Sequence, residues 1–78
     1  MKITILGHPM CGFCHAARDL ATAKKFDFEW IDISQNPEKF EKAKAETGHP
    51  TVPIIFVDGV FVGGFTEFEQ KVENGEIA

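Results

Sequence analysis

The spacing of apolar residues in the first half of the chain predicts a strand, a helix and a second strand. Residues 2–6 alternate weakly between polar and apolar side chains and include β-branched residues, which is typical of a buried strand. Residues 28–33 return to strand spacing and place Phe28 and Trp30 on one face. A strand–helix–strand order predicts two parallel strands with a right-handed crossover. The helix between them is indicated by one apolar face, made of Phe13, Ala16, Ala17, Leu20 and Ala21.

A second helix is predicted from the Asn36-Pro37 pair. Asparagine is a frequent N-cap and proline is favoured in the first turn, so the helix is expected to begin here. It should run to about Thr47, bury Ala43 and end at Gly48. Charges of both signs cover the rest of its surface, which is typical of a solvated face.

The last third of the chain predicts a β-hairpin and a third helix. Residues 54–57 and 60–62 are apolar and β-branched, and the Asp58-Gly59 turn between them favours a hairpin. Thr66 matches an N-cap, and Glu69, three residues later, would complete a capping box.

These elements together predict the fold class. The order β-α-β-α-β-β-α is that of an α/β domain with a four-stranded mixed sheet and three helices on its faces. At 78 residues, the chain is expected to be one domain spanning residues 1–78. Residues 76–78, beyond the last predicted helix, are expected to be a frayed tail.

The chemistry of the chain is concentrated in its only two cysteines, Cys11 and Cys14, which two residues separate. Cys11 is expected at the start of the first helix, where unpaired N–H groups and the helix dipole stabilise a thiolate. Cys14 falls on the same side of the first turn and can reach it. The pair therefore predicts a two-electron redox centre, in which one cysteine attacks and the other, shielded cysteine resolves.

Three other interpretations of the cysteine pair are open. A zinc site would add His8, His15 or His49, but there is no second cysteine pair and no H-x₃₋₅-H spacing. The sequence from Cys11 to His15 also matches the haem-attachment pattern C-x-x-C-H, but a small mixed sheet leaves no haem pocket, and His15 is better explained as a helix residue that helps to hold the thiolate. Two inert, buried thiols would not explain a cysteine at an exposed helix start.

Composition and charge narrow the classes of function. Twelve acidic and eight basic residues give a net charge of −4, which argues against a nucleic-acid partner. No apolar run approaches a membrane span, and no signal peptide precedes the first strand, so we expect a cytoplasmic monomer without a membrane partner. In such a reducing compartment a close cysteine pair favours a catalytic or metal-binding role over a structural disulfide.

The sequence resembles the glutaredoxin family. Four features in the order of that family carry the resemblance and span almost the whole chain: Cys11-Gly12-Phe13-Cys14, Thr51-Val52-Pro53, Gly63-Gly64 and Thr66-Glu67. The resemblance implies the thioredoxin fold in its minimal form, with a cis peptide bond before Pro53 that faces the dithiol. It also implies a glutathione-dependent oxidoreductase that reduces protein disulfides and glutathionylated thiols, with ribonucleotide reductase as a candidate protein substrate.

The same resemblance assigns roles to individual residues. Cys11 and Cys14 would be catalytic, glutathione would be a co-substrate, and neither a metal site nor a bound cofactor would be required. The residues that would contact glutathione are His8, Phe13, Thr51, Val52, Pro53, Gly64, Phe65, Thr66 and Glu67.

Several positions depart from the family pattern and leave two alternatives. His8 stands where many glutaredoxins have lysine, Gly12-Phe13 replaces Pro-Tyr, and Ile54 replaces a polar residue. Cys-Gly-Phe is shared with monothiol glutaredoxins, so an iron–sulfur module with a bridged [2Fe–2S] dimer is one alternative. The other is a redoxin that donates electrons to ribonucleotide reductase and is recycled by thioredoxin reductase. That family typically has Trp-Ser-Gly-Phe-Arg-Pro-Asp where this chain has residues 62–67, and Gly64 favours glutathione.

Overall fold

The computed structural model describes residues 2–77. It contains four strands and three helices in the predicted order: β1 (Lys2–Gly7), α1 (Gly12–Ala23), β2 (Asp27–Asp32), α2 (Pro37–Thr47), β3 (Ile54–Val57), β4 (Val60–Gly63) and α3 (Phe65–Glu73). No helix within residues 2–77 has the length and apolar character needed to cross a membrane.

The four strands form one mixed sheet in the order β2-β1-β3-β4. β1 pairs with β2 in parallel, with Ile5 opposite Trp30, as the strand–helix–strand pattern predicted. β3 is antiparallel to both β1 and β4. The hairpin turn places Asp58 at φ 51° and Gly59 at φ 82°, as expected for a tight two-residue turn.

Side chains alternate between two cores, one on each face of the sheet. The larger core includes Ile3, Ile5 and Ile55 from the sheet and Phe68 from α3, all fully buried. Ala17 and Ala21 of α1 pack into the same core, and Phe28 and Trp30 cover its edge. The smaller core joins Leu6 and Ile54 to Ala43 of α2. The alternation of strand residues therefore sets α1 and α3 on one face and α2 on the other.

The start of α3 differs from the prediction. The helix begins at Phe65 with Gly64 as N-cap, and Oε1 of Glu67 accepts the backbone N–H of Gly64 over 2.7 Å. Thr66 is therefore inside the helix and does not cap it, and Glu69 is not the capping carboxylate. The capping glutamate lies three residues after the N-cap, as a capping box requires. The prediction was therefore correct about the type of cap, but it placed the N-cap at Thr66, two residues after its actual position at Gly64.

Two further expectations from the sequence were wrong. Asn36 occupies the N-cap of α2, but its side chain makes no capping bond and donates instead to the carbonyl of Asp32 over 2.9 Å. Ile77 is not part of a frayed tail, because it is 5% exposed and packs in the larger core. Ala78 lies outside the described residues. Gly48 ends α2 in the left-handed conformation at φ 72°, as predicted.

Candidate active site

The first cysteine lies where β1 passes through a short loop into α1. Cys11 is the N-cap of α1, and its Sγ accepts the backbone N–H of Cys14 over 3.2 Å. Its own N–H donates to the carbonyl of His8 over 3.0 Å, which closes the loop. Both cysteines are free thiols in this structure. A sulfur held against the positive end of a helix is in the environment that stabilises a thiolate.

The two cysteines differ sharply in exposure. Cys11 is half-buried, whereas Cys14 is fully buried in the first turn of α1. Burial, followed by the hydrogen bond with Cys11, raises the pKa of the Cys14 thiol to about 12. Cys14 is therefore a protonated, shielded thiol near neutral pH, and only Cys11 is open to a disulfide that arrives from solvent. This asymmetry matches the expectation from the sequence.

A loop from the other side of the sheet faces Cys11. The peptide bond between Val52 and Pro53 is cis, as the resemblance implied, and Pro53 is buried. The Val52 carbonyl oxygen lies 3.9 Å from Cys11 Sγ, within reach of a weak S–H hydrogen bond. The backbone of this loop and the reactive sulfur therefore share one surface.

A groove of about 190 Å³ adjoins this surface. Phe13 and Phe65 form part of its wall, with stacked rings whose centroids are 6.1 Å apart. The groove brings together nearly all of the residues that the resemblance assigned to glutathione, and its lining consists of Phe13, His49, Thr51, Val52, Pro53, Gly64, Phe65, Thr66 and Glu67.

His8 is the exception among the assigned residues. It is absent from the groove lining, and its Nδ1 accepts the backbone N–H of Met10 over 3.0 Å. Its carbonyl accepts the N–H of Cys11. His8 thus shapes the loop that carries the cysteine, and the structure does not place its side chain with the other residues.

His49 lines the groove and was missed as a binding residue, because the sequence suggested it only as a metal ligand. Its Nδ1 lies 2.8 Å from the Thr51 carbonyl oxygen, and its ring meets the edge of Phe61 at 5.8 Å between centroids. Because a carbonyl only accepts, Nδ1 of His49 donates to it, and Nε2 is available to a ligand. Nε2 faces Gly64, since a Cβ built on Gly64 would lie 3.4 Å from this nitrogen. Its nearness to Thr51 in sequence was the one available signal.

The start of α3 forms another part of the groove lining. Gly63 has φ 134°, and a Cβ there would lie only 2.7 Å from Oε1 of Glu67. Glycine at this position therefore lets the Glu67 carboxylate fold back onto the N–H of Gly64. In the Gly63-Gly64 pair, Gly63 is therefore the residue that adopts the positive φ. The pair lies next to a helix N-terminus, which favours anionic groups.

The alternative interpretations of the cysteine pair can be compared with the geometry. Within residues 2–77, no three His, Cys, Asp or Glu side chains converge as a metal-binding group would. His15 does not hold the sulfur of Cys11 as expected. Its ring instead meets the Pro9 carbonyl and the guanidinium of Arg18.

The site consists of a helix-capping cysteine, its buried partner and a cis-proline loop that faces them. On this sheet, the arrangement is that of a thiol–disulfide oxidoreductase with the thioredoxin fold. Comparison with known proteins narrows the class further. The chain belongs to the glutaredoxin family, whose sequence model matches residues 1–62.

Individual relatives agree with this assignment. A glutaredoxin from Haemophilus influenzae is 37% identical over 80 residues, covering 94% of this chain and 92% of the relative. The structure of reduced Escherichia coli glutaredoxin is 33% identical with a TM-score of 0.82, and each chain covers 100% of the other. The buckwheat glutaredoxin–glutathione complex has a TM-score of 0.86 at 22% identity, covering 95% of this chain and 70% of that one, and this likeness concerns the fold.

Proposed function

We propose that this oxidoreductase uses glutathione to reduce protein disulfides and glutathionylated thiols, through Cys11 as nucleophile and Cys14 as resolving thiol. The observation that carries the proposal is the position of Cys11 Sγ, 3.9 Å from the Val52 carbonyl at the groove. A thiol peptide bound along that loop would present its sulfur to Cys11. Membership of the glutaredoxin family supports this choice of ligand.

The first step forms a mixed disulfide. The Cys11 thiolate attacks one sulfur of the substrate disulfide, a new S–S bond forms to Cys11, and the other substrate sulfur leaves as a thiolate that takes up a proton. Cys14 stays out of this step because burial keeps it protonated.

The second step begins when the mixed disulfide has removed the influence of the Cys11 thiolate on Cys14. The hydrogen bond with Cys11 and the negative charge of Cys11 both contribute to raising the pKa of Cys14. Both contributions end when Cys11 is bonded to the substrate, so Cys14 loses its proton more readily at that stage. Its thiolate attacks Cys11, releases the second substrate sulfur as a thiol, and leaves a Cys11–Cys14 disulfide. Two electrons have then passed from the protein to the substrate.

Two glutathione molecules complete the cycle. The first opens the Cys11–Cys14 bond and becomes attached to Cys11, and the second releases it as glutathione disulfide. The groove suits such a tripeptide, because the Val52 backbone can pair with an extended chain. Glu67 accepts the N–H of Gly64, and the N–H groups that follow in the first turn of α3 favour the carboxylate of a ligand. The dithiol itself is the redox centre, so this cycle requires no bound metal or organic cofactor.

The partners and the compartment follow from this chemistry. A dithiol recycled by glutathione works in a reducing compartment, and we therefore propose a cytoplasmic monomer. Its protein substrates would be disulfide-bearing enzymes, with ribonucleotide reductase as a candidate.

The reductant decides between glutathione recycling and the redoxin alternative. Oxidised protein is mixed separately with glutathione and with thioredoxin reductase plus NADPH, and reformation of the two thiols is followed over time. We expect rapid reduction by glutathione. Reduction by the reductase alone would contradict the proposal and favour the redoxin.

A further inference from the structure

The loop that carries Cys11 is held at a point outside the groove. Nε2 of His15 meets the carbonyl oxygen of Pro9, six residues earlier in the chain. On the opposite side of the ring, Nδ1 lies 2.7 Å from Nη2 of Arg18. His15 therefore connects the loop before Cys11 to the first turns of α1.

The chemistry of these two contacts fixes the tautomer of the ring. A guanidinium can only donate, so Nδ1 of His15 must be the unprotonated acceptor for Arg18. A backbone carbonyl can only accept, so Nε2 must carry the proton and donate to Pro9. These two contacts assign His15 the tautomer whose ring N–H, on Nε2, is directed at the loop.

Trp30 of β2 packs against both His15 and Arg18. The His15 ring stacks on Trp30 with centroids 6.2 Å apart and planes at 21°. The guanidinium carbon of Arg18 lies 4.8 Å from the centre of the same indole, within the range of a cation–π contact. Both contacts restrict the rotamers of the two side chains, so the N–H of His15 is directed before any substrate arrives.

We propose that His15 is a positioning residue for the reaction, which holds the loop before Cys11 so that its sulfur stays against the N–H of Cys14. Within the loop, the N–H groups of Cys11 and Met10 both donate to His8, so these two bonds do not connect the loop to α1. The contact from His15 to Pro9 ties the middle of this loop to a side chain of α1. Losing it loosens the loop before Cys11, although the N–H groups of Cys14 and His15 still bond to Cys11 itself, so the sulfur is held less precisely at the helix end.

The test uses two variants that separate the N–H donor from the ring. His15→Phe keeps an aromatic ring over Trp30 but has no donor, whereas His15→Gln provides a side-chain N–H for Pro9. The rate of Cys11 alkylation by iodoacetamide near neutral pH reports how well the thiolate is held. We expect His15→Phe to slow alkylation by about threefold to tenfold, the worth of one hydrogen bond, and His15→Gln to stay within about twofold of the wild type.

Spectroscopy on the wild-type protein tests the same inference without a variant. The ¹⁵N shifts of the His15 ring should show a protonated Nε2 and an unprotonated Nδ1. A protonated Nδ1, a wild-type rate in His15→Phe, or equal slowing in both variants with unchanged circular dichroism would overturn the proposal. The inference rests on the proposed role of Cys11. If wild-type Cys11 reacts no faster than Cys14, the proposed function fails, and the ring shifts still decide the His15 contact.

Discussion

The indole of Trp30 occupies the space into which a side chain at Gly7 would project. A Cβ built on Gly7 would lie 2.6 Å from Cη2 of Trp30 and 2.9 Å from Cβ of Cys14. The last residue of β1 is therefore packed directly between the tryptophan of the neighbouring strand and the buried cysteine of α1. This contact sets how closely the cysteine pair approaches the sheet.

Gly7→Ala should therefore destabilise the protein. Neither the indole nor the α1 backbone can move away easily, so we expect a loss of about 1–3 kcal/mol in the free energy of unfolding, measured by urea denaturation. Gly12→Ala is the matched control, because nothing lies within 4 Å of a Cβ there and alanine favours a helix. A Gly7→Ala protein as stable as the control would contradict the close packing.

The buried thiol predicts a dependence of stability on alkaline pH. The pKa of Cys14 rises from 9.0 to about 12 on folding, so the folded protein binds this proton more tightly than the unfolded chain. Its contribution is complete below pH 9.0 and is lost as the pH rises toward 12. Unfolding curves over this range should show falling stability in the wild type and a flatter profile in Cys14→Ala. Parallel profiles for the two proteins would rule out the buried thiol as the cause.

The groove predicts different roles for two histidines. His49→Ala should raise the KM for glutathione by about threefold to tenfold, since it removes a hydrogen-bonding group from the lining. His8→Asn retains a side-chain acceptor for the N–H of Met10 and should leave the KM within about twofold of the wild type. Steady-state assays at varied glutathione measure both. A larger effect at His8 would show that its side chain, and not that of His49, contacts the ligand.

The elements and the cysteine geometry could be predicted from sequence because local patterns determine them. Alternating apolar residues set the strand faces, and the Asp58-Gly59 turn set the hairpin. Because Cys11 stands at a strand-to-helix junction, it lies at the helix start, where its sulfur accepts the N–H of Cys14.

The errors arose where the backbone conformation at one residue or a contact between distant segments decides the structure. Two glutamates, Glu67 and Glu69, are close to the start of α3. Glu67 caps the helix because Gly63 has no Cβ to block its carboxylate, which the spacing of the glutamates does not reveal. Ile77 follows the helix end, and a sequence pattern does not show that the chain turns back into the core there. His49 enters the groove through tertiary packing against Phe61, which local spacing does not reveal.

Cys11 and Cys14 have different roles, since Cys11 attacks the substrate and Cys14 resolves the mixed disulfide. The removal of glutathione from a glutathionylated peptide tests this difference most directly. This reaction needs the attacking thiol alone, whereas reduction of a protein disulfide needs both. We predict that Cys11→Ser loses both activities, and that Cys14→Ser still deglutathionylates the peptide but no longer reduces the protein disulfide. Deglutathionylation by Cys11→Ser at the wild-type rate would contradict the account.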